Sequence, residues 1–201
     1  HDRARKKARR KTTAKAFIED FLRLNPEEAT DLGDHRYDDK VRDFSPAAIA
    51  SRADTWRKYL TALDRINTAQ LTGANRIDVR IMRVNLESML FELTDLKSRE
   101  WNPLSYNASL ANSIYQLTSR DFAPAEQRLR SAIGRLNALP GVLAQLKANL
   151  RNPPRVHTET AIQQTTGGIN LVKTGLDPLL EKAPAALKSE VAAAQAKAIA
   201  A

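Results

Sequence analysis

The chain carries three histidines, His1, His35 and His157, and no cysteine. Only His35 stands among other groups capable of chemistry. In "NPEEATDLGDHRYDD", residues 25–39, it is flanked by Asp34, Tyr37 and Asp38, and Asp43 follows shortly after. An imidazole titrates near neutrality, and carboxylates beside it can hold a cation or orient a water, so the group has the residue types of a polar site. The same acids suit a turn between two helices, where carboxylates cap free backbone amides. Tyr37 could equally bury its ring and pass its hydroxyl to a neighbour. Glu27 and Glu28 have a simpler reading as charges favoured at the positive end of a helix dipole. His157, in "RVHTETA", precedes Thr158, a residue type suited to an N-cap, and reads as a surface or interface histidine rather than a ligand. "TTGGIN", residues 165–170, could bring backbone close to a ligand or another chain, or simply pack helices closely.

Established machineries are missing from the sequence. There is no His-Glu-x-x-His, no glycine-rich phosphate loop, no Gly-x-Ser-x-Gly elbow and no Cys/His metal spacing. No catalytic, cofactor-binding or metal-ligating residue is therefore assigned. Without cysteine, disulfides and thiolate metal sites are excluded.

The elements that must position these residues are helices. Ala16, Phe17, Phe21 and Leu24 begin an apolar stripe, which Asn25-Pro26 interrupts because a residue before proline avoids the helical region. "PEEATDLG" reads as a short helix started by Pro26 and stopped by Gly33. Ser45 and Pro46 suit the N-cap and first position of the next helix, whose Ile49, Ala53, Trp56, Leu60 and Leu63 share one face. A break at "LTGANR" precedes a long helix with apolar Ile77, Ile81, Val84, Leu86, Met89, Leu90, Leu93 and Leu96. A stripe that broad predicts a central helix with neighbours on more than one side. Further helices are expected over residues 106–119, 124–139 and 141–150, with Pro140 as the junction between the last two. A weaker helix holds Gly167-Gly168 in its middle, and "AALKSEVAAAQAKAIAA" forms the last. No segment alternates with period two. The sequence thus predicts an all-α, irregular multi-helix bundle of about eight helices.

Hydrophobic residues make up 42% of the chain and charged residues 27%, which excludes a disordered chain, and no uncharged run approaches the roughly 20 residues of a membrane helix. The net charge of +9 is concentrated. Residues 1–16 hold eight Lys/Arg and one Asp, a net of +7, leaving +2 for the rest. The organisation expected is a basic N-terminal arm, 1–16, followed by a helical domain, 17–201. The arm lacks an aromatic residue to stack on a base, so no specific nucleic acid is expected as partner. No apolar segment of a signal peptide follows its charges, and the mature form of an exported protein would read the same way.

"NPEEATDLGDHRYDDKVRDFS" resembles the opening signature of a large, mostly bacterial family known as domain of unknown function 885. Its Pro-x-x-Ala-Thr-x-Leu-Gly-x-His-x-Tyr-Asp pattern is met at Pro26, Ala29, Thr30, Leu32, Gly33, His35, Tyr37 and Asp38. "NRIDVRIMRVNLE", "WNPLSYN" and "RLRSAIGRLNALPGVLAQLKANLRNPPRVHTETAIQQTTGG" also look like it, so the resemblance runs from about Phe17 to the end. It implies kinship with all-helical zinc metallopeptidases of the gluzincin sort. Those are marked by a His-Glu-x-x-Pro-Gly-His segment and a later glutamate, none of which is in this sequence. The resemblance therefore implies the N-terminal half of a larger helical fold, with the chain stopping within its last helix, before the catalytic motif. Zinc is expected only in a full-length parent, and the C-terminal catalytic half of that parent is the implied partner. His35, Tyr37 and Asp38 become candidate cleft or substrate contacts, and a periplasmic or secreted location follows from the kinship. Two rivals stand beside this reading. A stand-alone helical interaction module predicts a closed apolar core, whereas the half-fold reading predicts an exposed apolar face or a homodimer formed through it. A basic-arm binder of nucleic acid or envelope surfaces predicts binding that weakens steeply with salt and disappears when residues 1–16 are deleted, readable by retention on DNA or anionic vesicles at two ionic strengths. Binding indifferent to that deletion excludes it.

Overall fold

The structure, a computed structural model, describes the backbone of residues 2–181 and 183–201 and the side chains from residue 13 onward, Lys182 excepted. Its α-helices are α1 (Asp2–Leu24), α2 (Pro26–Asp31), α3 (Pro46–Asp64), α4 (Gly73–Phe91), α5 (Pro103–Thr118), α6 (Ala125–Asn149), α7 (Arg155–Thr174), α8 (Asp177–Leu180) and α9 (Ala185–Ala200). No strand occurs among the described residues, and the all-α class expected from the sequence is what the chain adopts. Residues 2–16, expected as an arm, continue into the same helix as the apolar stripe; the side chains of residues 1–12, which carry most of the basic charge, lie outside the described residues.

The chain divides into two compact units. The first comprises residues 1–24 and 45–98. Ser45 Oγ accepts the Ala48 N–H and Pro46 follows, so α3 starts where its cap chemistry dictates. Its apolar face buries Trp56, Tyr59 and Leu63 with Val79 and Leu86 of α4, and Phe17 and Phe21 of α1 close over them. The Phe17 ring lies 6.0 Å from Trp56 and meets Tyr59 edge-on at 5.5 Å, the offset geometries that aromatic quadrupoles favour. Thr72 Oγ1 caps α4 at the expected break. The helix ends in a π turn, Glu92–Leu96, closed by Lys97 in the left-handed region at φ 48. One expectation changes here. Among its described residues α4 buries only Val79 and Leu86, while Ile77, Ile81, Val84 and Phe91 are more than half exposed.

The second unit comprises residues 25–44 and 99–201. Ile114 and Leu117 of α5, Leu129, Ala132, Leu136 and Leu139 of α6 and Leu187, Val191, Ala194 and Ala198 of α9 form its core. Here α6 is continuous and Pro140 lies inside it, where the sequence predicts a junction. A mid-helix proline costs about 3 kcal/mol through its missing N–H and its clash with the preceding turn. Burial of Leu136, Leu139 and Val142 on either side outweighs that cost. Similarly, α7 begins at Arg155 rather than after Thr158. Its first turn is supported by the Arg155–Glu159 pair at 2.7 Å, and the Thr158 hydroxyl donates back to Pro154 O at 3.2 Å. Gly167 and Gly168 stay within α7 despite about 1 kcal/mol each of lost helix propensity.

Tyr59 Oη donates to Asp20 Oδ2 at 2.7 Å across α1 and α3. Burial works against the Asp20 carboxylate, but hydrogen bonds from Tyr59 and Arg23, with the charges of Arg23 and Lys58, outweigh it and hold Asp20 below its ordinary 3.8. Burial and the bond to Asp20 push the Tyr59 phenol upward. A carboxylate depressed in the folded state contributes stability above its unfolded value and loses it as pH falls through the folded one. Tyr59→Phe is therefore expected to cost about 1–2 kcal/mol at neutral pH in urea unfolding, with the gap to wild type narrowing below about pH 4. A gap independent of pH would show that the bond does not carry the effect.

Candidate functional site

The residues singled out in the sequence lie on the turn that follows α2 in the second unit. Pro26 opens α2, and Ala29 and Thr30 are buried. The helix closes in a Schellman arrangement. Asp34 N–H donates to Ala29 O at 2.8 Å and Gly33 N–H to Thr30 O at 3.1 Å, and Gly33 takes φ +86, which a side chain would strain. Asp34 then caps a single 3₁₀ turn, His35–Tyr37, by accepting the Arg36 N–H at 3.2 Å. The Arg36 guanidinium folds back onto Asp34, and these hydrogen bonds hold that carboxyl below its ordinary range.

The turn is fastened from beneath. Asp38 is 4% exposed. Its Oδ1 accepts from Thr30 Oγ1 at 2.7 Å and its Oδ2 lies 3.0 Å from His35 Nδ1, so Nδ1 is the ring nitrogen that carries a proton. Thr30 Oγ1 in turn accepts from Arg135 Nη2 at 2.6 Å, and Arg135 Nη1 donates to Ser113 O at 2.6 Å. Arg135, from α6, is 0% exposed. Burial lowers the affinity of its guanidinium for a proton, while the nearby charges of Glu27, Asp38 and Asp39 oppose that. Glu27 is also buried, with Oε1 accepting the Arg42 N–H at 3.0 Å and the Ser109 hydroxyl at 3.3 Å. Above this layer the His35 ring stacks on Phe122 at 3.9 Å and 6°. Arg128 approaches the Phe122 ring at 5.8 Å, held by Asp121 at 2.6 Å and Arg120 O at 2.8 Å. Downstream, Gln145 and Asn149 of α6 bond the backbone of Phe44, and Gly134 lies so close to Asp39 O that a Cβ there would stand 2.7 Å from it.

His35 and Asp38 are thus brought together, and Tyr37 is not bonded to either. Its ring is half-buried under the Arg36 guanidinium at 5.4 Å. Asp43 pairs with Gln145 Nε2 at 2.9 Å, away from the His35 cluster's hydrogen bonds. The His35 side chain is about a third exposed (32%), and its Nε2 has no hydrogen bond among the described residues. The arrangement can offer a positioned imidazole at the surface. Asp38 and Arg135 are sealed beneath it. Among the described residues no three His, Cys, Asp or Glu side chains converge to hold a metal. His157 packs against Trp101 at 5.6 Å in the first turn of α7. The sequence reading missed Arg135, Phe122, Gln145 and Asn149. The signal for Arg135 was present: Arg128 and Arg135 fall seven residues apart, on the face of α6 that carries Ala132 and Leu139.

The model of the family described as "Bacterial protein of unknown function (DUF885)" matches residues 26–201. A solved structure, described as that of a putative lipoprotein of unknown function from Shewanella oneidensis, is similar at TM-score 0.81 and 28% identity over 94% of this chain. The chain spans 35% of the length of that protein. No curated protein matches it.

Removal of Arg135 takes one donor from Thr30 Oγ1 and one from the Ser113 carbonyl, and it takes the buried positive charge away from beside Asp38 and Glu27. Arg135→Ala is expected to cost about 3–5 kcal/mol in urea unfolding, against less than about 1 kcal/mol for Arg36→Ala at the more exposed Asp34 pair. Equal losses would show that the buried relay does not hold the turn.

Proposed function

We propose, from the premise that the chain belongs to the bacterial DUF885 family of proteins of unknown function, that it forms the N-terminal helical portion of a metal-dependent hydrolase of the peptidase type. In it the chain supplies a cleft wall and a packing surface and is inert by itself. Three observations support the reading. The opening signature resembles that of families with a downstream zinc motif. The chain spans about a third of a longer, structurally similar protein. An exposed apolar stripe, Ile77, Ile81, Val84 and Phe91 at helical spacing on α4, offers a surface for further protein, either the remainder of the parent or a second copy. No set of residues in the described chain fits a metal, so zinc would be held by residues outside it and no chemical step is assigned here. An envelope location is part of the proposal, supported by the similar protein's description as a lipoprotein. No helix among the described residues is long and apolar enough to cross a membrane.

The observation that carries the cleft-wall role is the His35 ring, fixed by Asp38 and Phe122 with one nitrogen left unbonded. Such a ring, with the Tyr37 hydroxyl on the same turn, can hydrogen-bond a substrate carbonyl or carboxylate. In a full-length parent, peptide hydrolysis is expected to be abolished by chelator and absent from the isolated 201-residue chain. His35→Gln and Tyr37→Phe are expected to raise KM or lower kcat about tenfold with Tm retained. No chelator-sensitive hydrolysis sinks the hydrolase reading, and unchanged kinetics with a lowered Tm sinks the cleft-wall role alone.

A further inference from the structure

Between α5, α6, α7 and α9 the second unit forms a pocket of about 470 Å³, open to solvent on one side, within the roughly 300–1,000 Å³ of small-molecule sites. Ile114, Leu139, Leu143, Ile169 and Ala198 are among its walls, and no charged side chain lines it. Gly167 and Gly168 complete the α7 wall. Neither glycine is required by its surroundings. Neither has a positive φ, and a Cβ on either would meet nothing within 4 Å. Helix propensity argues against both, and close packing does not explain them. What they do is leave volume. Gly168 lies on the α7 face that also carries Ala161, Thr165 and Val172, so a side chain there would project into the cavity.

Polar groups gather in one part of the lining. Asn107 Nδ2 donates to Ala161 O at 2.8 Å and to Thr165 Oγ1 at 3.4 Å, which fixes its amide between α5 and α7. That leaves Asn107 Oδ1 as an acceptor with no partner among the described residues, and the neighbouring Gln164 amide is exposed and equally unengaged. An apolar chamber with one uncharged polar end and no cation or anion selects a neutral amphiphile. We propose that this cavity is a binding site for an uncharged single-chain amphiphile, an alkyl or acyl chain lying along the glycines of α7 with a hydroxyl or amide head at Asn107 and Gln164. A carboxylate head would find no positive partner there. The site is independent of the His35 turn and does not rest on the hydrolase reading.

The test is a calorimetric titration of the 201-residue chain with monodecanoylglycerol below its micelle concentration, at two temperatures, with decanoate as the charged control. Saturable binding of one equivalent is expected, with the negative heat-capacity change of apolar burial and weaker binding of decanoate. Gly168→Leu, which fills the chamber, is expected to weaken binding at least about tenfold with Tm unchanged or raised, and Gln164→Ala to weaken it a few-fold. Ala108→Leu, from the α5 wall, repeats the filling should Gly168→Leu fail to fold by circular dichroism. No saturable heat, or affinity undiminished in the filled variants, overturns the proposal. So does a dimer by light scattering that Gly168→Leu or Ala108→Leu disperses, since that would give the chamber to a second copy.

Discussion

The second unit depends on one buried charge. Arg135 lies on the core face of α6, withdrawn from water, and none of its direct hydrogen bonds goes to a carboxylate. Desolvation of a guanidinium is expensive unless its donors are taken up; here a backbone carbonyl takes up Nη1 and a hydroxyl takes up Nη2, while Nε is buried with no partner among the described residues. The hydroxyl of Thr30 passes the interaction to Asp38, and Asp38 passes it to His35. A single relay thus joins the end of α2, the 3₁₀ turn, α5 through Ser113 and the middle of α6. Segments distant in sequence are held by partners that no apolar contact could replace without stranding a polar group. The glycine at position 134, one residue before, lets the Asp39 backbone come down onto the same helix. Charge and close approach act at the same place.

Much of the fold was legible because local chemistry and tertiary burial agree. Ser45 and Pro46 start α3, Thr72 starts α4, Gly33 closes α2, and the Ile49–Leu63 face is the face that buries. Where they disagree, burial decides. Pro140 is a strong local signal to stop, yet Leu136, Leu139 and Val142 all need one continuous helix to reach the core. Thr158 has good cap chemistry, yet it lies inside a helix that already runs from Arg155, where its hydroxyl donates back to Pro154 O. For α4 the apolar count read as a central helix. Counting cannot tell a stripe that has a neighbour from one that does not.

The candidate site was legible in its membership and not in its depth. His35 and Asp38 stand three residues apart, which suffices to suggest a pair on one turn of helix. Which of the two faces solvent depends on Phe122 and Arg135, residues supplied by a loop and a helix some ninety to a hundred positions away. No local pattern reports that. For the buried arginine the sequence carries only its position on the core face of α6, seven residues after Arg128, against the general exposure of arginines on amphipathic helices.

Packing now explains most of the opening signature and leaves a remainder. Ala29 is fully buried and Thr30 nearly so, with its hydroxyl in the relay. Pro26 starts α2, Gly33 supplies the positive φ, and Asp38 is the sealed acceptor. Each would be needed for folding whatever the protein does. Leu32 and Tyr37 are different. Leu32 is 69% exposed, and Tyr37 makes no hydrogen bond among the described residues that would require a phenol. His35 falls between the two groups, with one nitrogen bound for structure and the other open. An exposed leucine, an unbonded phenol and an open imidazole nitrogen on one short turn have no structural account within this unit. Stability gives no reason for the exposed leucine, the phenol hydroxyl or the second imidazole nitrogen, so function should be sought at these groups.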